Sequence, residues 1–348
     1  MAMLKPTFSI RIGALQSSSD APMGGPTWIA IDRDMDAPAD GLCLHLMTRA
    51  GIAVGEDVTV ELGYEGDHEG VFTGTVVALQ PAIAGVKVQA LGQLNALLNL
   101  RTAAVYENQT AGQIARDVIA QAGLTAGQIE TGPTLPTYAI DQRLSALAHL
   151  RQLADRLGYE LYGDREGKVM FQALGAAANL DSGGLGAIAS GAGLLGGATE
   201  GYVFGQHLLA ARATQHPAPW NKITVGGESP MSRQGDTKAH WLTTKDTDHQ
   251  GVAGQGTPQQ LIIDPVARTQ DLADRFAAGY RATGDRRMHQ VRIKILGRPQ
   301  VELGDTVQAS DVADELINGS GYVRALRHRF GSTVGFTTEL TFARGDGA

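Results

Sequence analysis

The sequence has 348 residues, of which 43% are hydrophobic and 19% charged, so it can form two or three packed domains and is too apolar for a disordered chain. Its formal net charge is −7 and it has no dense run of lysine or arginine, which argues against a nucleic-acid-binding protein. A single cysteine, Cys43, excludes an intrachain disulfide, and the alternating apolar residues around it predict a buried thiol on a strand.

Residues 1–95 have the pattern of a small β-barrel. Val58, Val60 and Leu62 alternate with polar residues, as in a strand with one buried face. Further short alternating runs follow at residues 71–77 and 85–90. Several short strands at this spacing are typical of a barrel or sandwich.

Residues 96–172 predict two helices followed by a hairpin. Thr110 and Gln113 form a capping-box pattern at the start of the first helix, and Gly123 supplies its end. The second helix is predicted from about Asp141 to Leu157. Two short strands around residues 163–167 then form the hairpin, which gives an α+β domain.

Residues 173–201 are rich in glycine, and residues 182–199 carry no charge. Glycine at this density makes a poor helix and contributes little apolar area, so a linker or extended loop is favoured over a membrane span. A buried glycine-rich strand remains an alternative. We therefore expect no stable membrane insertion.

Residues 202–348 predict a second strand-rich barrel interrupted by one helix over about residues 265–283. Asp264 is placed as its N-cap and Pro265 as its first residue. The fold class expected for the whole chain is α+β and mainly β: two antiparallel barrels with the helix–helix–hairpin domain inserted between them.

No motif in the sequence predicts catalysis, a metal or a cofactor. The carboxylates of residues 32–36 are spaced as in a calcium loop, but Ala37 and Cys43 occupy the positions that need glycine and glutamate, so a surface loop is expected. The histidines show no zinc spacing, and His328, between two arginines, is expected to be solvated or stacked. No phosphate-binding loop or serine elbow occurs.

Four tracts, taken in order, resemble the phage late control protein D family, the contractile-tail baseplate hubs and the N-terminal half of the type VI VgrG spike proteins. The tracts are residues 63–76, 106–124, 147–171 and 297–340. The residues that carry the match are Phe72, Gly74, Gly123, Leu153, Gly158, Tyr159, Phe171, Pro299, Gly304, Asp305 and Val307.

The resemblance implies a structural baseplate hub and not an enzyme. Such hubs are homotrimeric rings in which two tube-like barrels per chain match a hexameric tail-tube protein on one face and a trimeric spike on the other. Because the sequence ends after its last predicted strand, the spike is expected to be a separate protein. Other baseplate proteins would also bind, and DNA or protein cargo would pass through a lumen lined by polar or acidic side chains.

The absence of an apolar signal-peptide core predicts synthesis and assembly in the bacterial cytoplasm, with the mature protein in a virion tail or an injection particle. Two alternatives stay open. Trp28, Trp220 and Trp241 could stack on sugars in a carbohydrate- or surface-binding tail module. A tail-associated cell-wall hydrolase is the other alternative, although the sequence offers no spare domain for it.

Overall fold

The structure is a computed structural model that describes residues 5–20, 25–47, 51–65, 67–174, 200–227, 250–331 and 334–344. The predicted glycine-rich segment therefore lies almost entirely outside the described residues, as does Trp241. The fold class is confirmed: the chain is α+β and mainly β, with large antiparallel sheets.

In the first strand-rich region, the described residues form seven strands around one apolar core. Val58, Val60 and Leu62 are completely buried, as their alternation predicts, and pack with the inward residues of the neighbouring strands. The strands are β1 (Pro6–Ile12), β2 (Leu15–Ser18), β3 (Pro26–Asp34), β4 (Gly41–Leu46), β5 (Asp57–Tyr64), β6 (Asp67–Ala82) and β7 (Gly85–Gly92).

Cys43 is on a strand as expected, but the prediction of a buried thiol is wrong. Leu42, Leu44 and Leu46 take the core face of β4, so the period-2 alternation puts Cys43 on the opposite face, where it is half-buried. Partial burial still raises the pKa of the Cys43 thiol.

The middle of the chain forms the predicted helices and hairpin. Thr110 and Gln113 make the predicted capping box, and Gly123 and Gly158 have the positive φ that ends each helix. The elements are α1 (Leu94–Asn99), β8 (Ala104–Thr110), α2 (Ala111–Gln121), β9 (Ala126–Ile129), β10 (Thr134–Ile140), α3 (Ala146–Leu157), β11 (Tyr159–Gly163) and β12 (Val169–Ala173).

The described residues from 200 onward return to strands, with one more helix among them. Its strands and helix are β13 (Glu200–Val203), β14 (Leu208–Gln215), β15 (Lys222–Gly227), β16 (Gln250–Gly254), β17 (Gln259–Asp264), α4 (Gln270–Asp285), β18 (His289–Leu296), β19 (Thr306–Ser310), β20 (Gly319–Gly331) and β21 (Gly335–Arg344).

Two helices begin later than predicted because a different side chain caps each one. Ser145 Oγ accepts a hydrogen bond from the Ala148 N–H at 3.2 Å, so α3 begins at Ala146 and not near Asp141. Thr269 Oγ1 accepts from the Leu272 N–H at 3.2 Å, so α4 covers Gln270–Asp285 and not 265–283.

Among the described residues, strands from both ends of the chain join one thirteen-stranded sheet. Its order is β14-β18-β21-β20-β3-β4-β7-β6-β5-β1-β2; β19 also pairs with β20, and β13 pairs with β19. The antiparallel pair β20–β3 joins the two strand-rich regions, and Phe330 lies opposite Ile29 in its register.

The sheet encloses two apolar cores, and a third core belongs to the helices. Phe72 and Gly74 lie in the first core and Val307 in the second, which β18–β21 form. The third core combines α1–α4 and the hairpin with Ile223 and Val225 of β15. The described residues 222–227 and 250–285 therefore pack with the helix–hairpin core and lie apart from the strands that precede and follow them.

Candidate functional site

Several buried charged residues meet where the turn after β3 (residues 35–40) contacts the hairpin β11–β12 and the loop before β19. Arg33 continues the buried face of β3, two residues beyond Ile31. A guanidinium in such a place needs partners for all its N–H groups, because an unpaired buried charge is strongly destabilising.

Arg33 finds these partners in three separate parts of the chain. Its Nε donates to Asp40 Oδ2 at 3.1 Å, its Nη1 to Glu302 Oε2 at 3.0 Å, and its Nη2 to the Gly163 carbonyl at 2.8 Å. One planar group thereby fixes the first strand-rich region, the hairpin and the loop before β19 relative to each other. Burial, opposed by the nearby Arg33 charge, raises the pKa of Asp40 to about 6.

Arg165, in the hairpin turn, shares the same carboxylate. It donates to Glu302 and to the Gln300 carbonyl, and its Nη1 lies 3.3 Å from Glu69 Oε2. We call Arg33, Asp40, Gly163, Arg165 and Glu302 the Arg33 cluster.

His328 is buried close to the Arg33 cluster, and the prediction that it is solvated is wrong; its ring does make a tilted contact with Phe336. It continues the buried face of β20 two residues after Leu326, and its Nδ1 lies 2.9 Å from Thr338 Oγ1. Burial, reinforced by the charges of Arg33 and Arg165, lowers the pKa of His328 to about 3. The imidazole is therefore neutral near pH 7.

A second cluster forms around Glu160, which is buried in β11. Its Oε1 accepts hydrogen bonds from Arg324 and, at 3.0 Å, from Tyr322 Oη, and it lies 3.1 Å from Arg286 Nη1. Arg324 Nη2 in turn lies 3.1 Å from Asp36 Oδ2. We call Asp36, Glu160, Arg286, Tyr322 and Arg324 the Glu160 cluster.

The turn at residues 35–40 is thus held by both clusters. Arg287 Nη2 donates to Asp36 Oδ1 at 2.8 Å, and Arg151 donates to the carbonyls of Met35, Asp36 and Ala37. The surface loop expected at residues 32–36 begins only at Met35, because residues 32–34 belong to β3, and this turn is tied to the rest of the fold. Asp32 and Asp34 end β3, and Asp36 belongs to the Glu160 cluster.

The carboxylates of the two clusters are paired with arginines. Within the described residues no group of three His, Cys, Asp or Glu side chains could hold a metal ion. Over the same ranges no helix is long and apolar enough to span a bilayer. What the two clusters can do is fix how the sheet and the helical core are oriented.

The residues that carried the sequence resemblance are spread over all three cores. Leu153, Tyr159 and Phe171 lie in the helix–hairpin core, and Pro299 is buried in the loop before β19. The Asp305 carboxylate accepts from the Glu302 N–H at 2.7 Å, next to the Arg33 cluster. These residues therefore lie in separate parts of the fold and do not form one cluster.

Two of these residues are glycines that allow close approach between elements. A Cβ on Gly158, where φ is +70°, would lie 3.2 Å from Gly279 Cα of α4. A Cβ on Gly304, where φ is +93°, would lie 2.8 Å from Tyr162 Oη. Both positions therefore require glycine for backbone conformation and for space.

Sequence reasoning missed the residues at the centre of the two clusters. For Arg33 a signal existed, because alternation along β3 puts it in register with Ile29 and Ile31. For Arg324 none existed, because a shift in strand register between Val323 and Ala325 turns it inward.

No family model and no curated protein matches the sequence, but solved structures match the fold. The 43 kDa tail protein of prophage MuSo2 from Shewanella oneidensis is 16% identical, with a TM-score of 0.70 over 98% of this chain and 99% of that one. The tail protein of Neisseria meningitidis MC58 is 14% identical, with a TM-score of 0.68 over 99% and 97%.

A third match is an Escherichia coli component of the type VI secretion system. It is 10% identical, with a TM-score of 0.59 over 96% of this chain and 76% of that one. At these identities the comparisons establish fold. This chain has the fold of phage tail proteins, which confirms at the level of fold the resemblance to baseplate hubs read from the sequence.

Proposed function

We propose that this protein is a structural baseplate hub of a phage tail or related injection machine. The observation that carries the proposal is a likeness of fold that extends over nearly the full length of both chains in two tail proteins. A shared module would match only part of each chain, whereas here at least 97% of each chain is covered.

In this proposal three copies form a ring around a channel. Each chain contributes two strand-rich regions, so a ring of three chains presents six such regions to a hexameric tail-tube protein. A trimeric spike protein binds the other face of the ring. The β20–β3 pairing supports this, because two regions joined in one sheet keep a fixed spacing in the ring. Other baseplate proteins would contact the outside, and DNA or protein cargo would pass through the lumen.

The role proposed is structural and not enzymatic. The two charged clusters support it, because their charges pair with one another and hold distant parts of the chain together. The protein would be assembled in the bacterial cytoplasm and reside in the mature particle.

The deciding experiment is native mass spectrometry with negative-stain imaging of the purified protein, alone and with candidate tail-tube and spike proteins. We expect a trimer mass and three-fold rings that bind the tube on one face and the spike on the other. A persistent monomer in the presence of both partners would contradict the proposal. Incubation with peptidoglycan tests the non-enzymatic role, and we expect no cleavage.

A further inference from the structure

Basic side chains collect on one face of the large sheet, where β14, β18, β21 and β20 lie side by side. Val291, Ile293 and Leu340 point into the apolar core, so the residues that alternate with them lie on the opposite face. Over these four strands the opposite face carries one carboxylate, that of Glu339, and five cations. We call these cations the basic face: Arg212, Arg292, Lys294, Arg327 and Arg329.

Two cations of the basic face have an acidic partner. Arg292 Nη1 lies 3.3 Å from Glu339 Oε1, and Arg327 pairs with Asp32 of β3. The other three form no ion pair within the described residues; they are Arg212 and Arg329, which are exposed, and Lys294, which is partly exposed. Three positive charges are therefore left over on this face, although the whole chain has a net charge of −7.

Two of the arginines lie side by side at a cost to the sheet. Arg212 is directly opposite Arg292 in the antiparallel pair β14–β18, and like charges at such positions destabilise a sheet. Arg292 is drawn toward β21 by Glu339 and by Thr341 Oγ1, which accepts from its Nε at 3.2 Å. Arg212 has no such partner among the described residues. This position therefore favours a negatively charged group supplied from outside.

The chemistry of the basic face favours phosphates over an acidic protein surface. β21, between the cations of β18 and β20, contributes Thr337, Glu339 and Thr341, while the apolar Leu296 and Trp28 lie at the margin. A protein interface needs apolar or aromatic anchors at its centre, whereas contacts to phosphates come from basic and polar side chains. Cations two residues apart on one strand are separated by about 6.8 Å, so their charge repeats regularly, as in a nucleic-acid backbone.

We propose that the basic face binds the phosphate backbone of DNA without reading its sequence. Arg212, Lys294 and Arg329 would each neutralise one phosphate. The three cations come from three different strands, which is why the sequence has no run of lysine or arginine to indicate the site. The inference concerns this face alone and does not depend on the proposed ring.

The test is a titration of the full chain with a short, fluorescently labelled DNA duplex, measured by anisotropy at several salt concentrations. Three neutralised phosphates predict that the logarithm of the association constant falls with the logarithm of the salt concentration with a slope of about −3. The affinity should therefore drop about 40-fold between about 50 mM and about 200 mM salt. A second duplex of unrelated sequence should bind equally well.

Arg329→Gln and Lys294→Gln should each weaken binding about threefold or more and make the salt slope shallower by about one. Lys294→Arg keeps the charge and should bind as the unchanged protein does. Arg11→Gln is the matched control, since Arg11 is an exposed arginine on β1 of the same sheet and its loss changes the net charge equally. This control should leave affinity and slope unchanged. Circular dichroism and thermal melting check that every variant folds.

Three results would overturn the inference. The first is the absence of DNA binding at the lowest salt concentration, and the second is an equal loss of affinity in Arg11→Gln and Arg329→Gln, which would show an effect of net charge alone. The third is binding of poly-glutamate and not of DNA that depends on Lys294 and Arg329, which would show an acidic protein partner. A failed ring assembly with intact DNA binding would contradict only the proposed hub function.

Discussion

The first strand-rich region and the charged junction hold this protein together in opposite ways. Inside the region, Leu44, Val58 and Val60 pack among apolar neighbours with no polar partner needed. At the junction, Arg33 and Glu160 are just as buried but each depends on specific partners. Apolar side chains can pack in many relative orientations of two elements, whereas a buried charge needs hydrogen-bond partners at defined positions. We therefore infer that the junction determines the orientation of the sheet relative to the helical core.

The largest expected effect is at the centre of the Glu160 cluster. Glu160→Ala leaves Arg286 and Arg324 without their shared carboxylate in a buried place, so we expect a loss of about 4 kcal/mol in the free energy of unfolding. Denaturant unfolding measures it. The matched control is Glu339→Ala on the partly exposed pair Arg292–Glu339, which should cost less than about 1 kcal/mol. Equal losses would show that the junction has no special role.

A core substitution should cost nearly as much for a different reason. Leu44→Ala removes a completely buried side chain and leaves a cavity, which we expect to cost about 3 kcal/mol. Cys43→Ala, one residue away on the half-buried face, should cost well under half of that. The comparison is sharpened if hydrogen exchange in the hairpin β11–β12 increases in Glu160→Ala but not in Leu44→Ala.

His328 should make stability depend on pH. Its pKa falls from about 6.5 in the unfolded chain to about 3 in the folded protein. The unfolded state therefore binds more protons between these values, and the folded state loses stability as pH falls below 6.5. Protonation of His328 alone should lower the free energy of unfolding by about 3 kcal/mol between pH 7 and pH 4.5.

His328→Gln removes that titration. Its unfolding free energy, measured by denaturant at several pH values, should fall less between pH 7 and pH 4.5 than that of the unchanged protein. Parallel curves for the two proteins would show that His328 is not buried as described.

The smallest expected effect is at the exposed pair Arg327–Asp32, which joins β20 to β3 across the two strand-rich regions. Arg327→Ala should cost about 0.5 kcal/mol or less, because water and salt screen the pair and the backbone pairing remains. A loss comparable to that of Glu160→Ala, measured in the same unfolding experiment, would mean that surface charges also set the orientation of the regions.

The sequence by itself determined the local elements. Buried and exposed residues alternate along β5 and β18, Thr110 caps α2, and glycines end α2 and α3. Each of these features depends only on residues close together in the sequence. Strand alternation follows from backbone geometry, and helix caps bind the backbone groups that have no partner within the helix. The mainly β fold class followed from them.

Only the tertiary structure decided how the elements combine. The β20–β3 pairing, the packing of β15 and α4 on the helix–hairpin core and the grouping of Arg33 with Glu302 join residues far apart in the chain. Side-chain spacing within one element carries no information on such contacts. A charged residue on a buried face indicates that it has a partner of opposite charge or a hydrogen-bond partner. Only the folded structure identifies that partner.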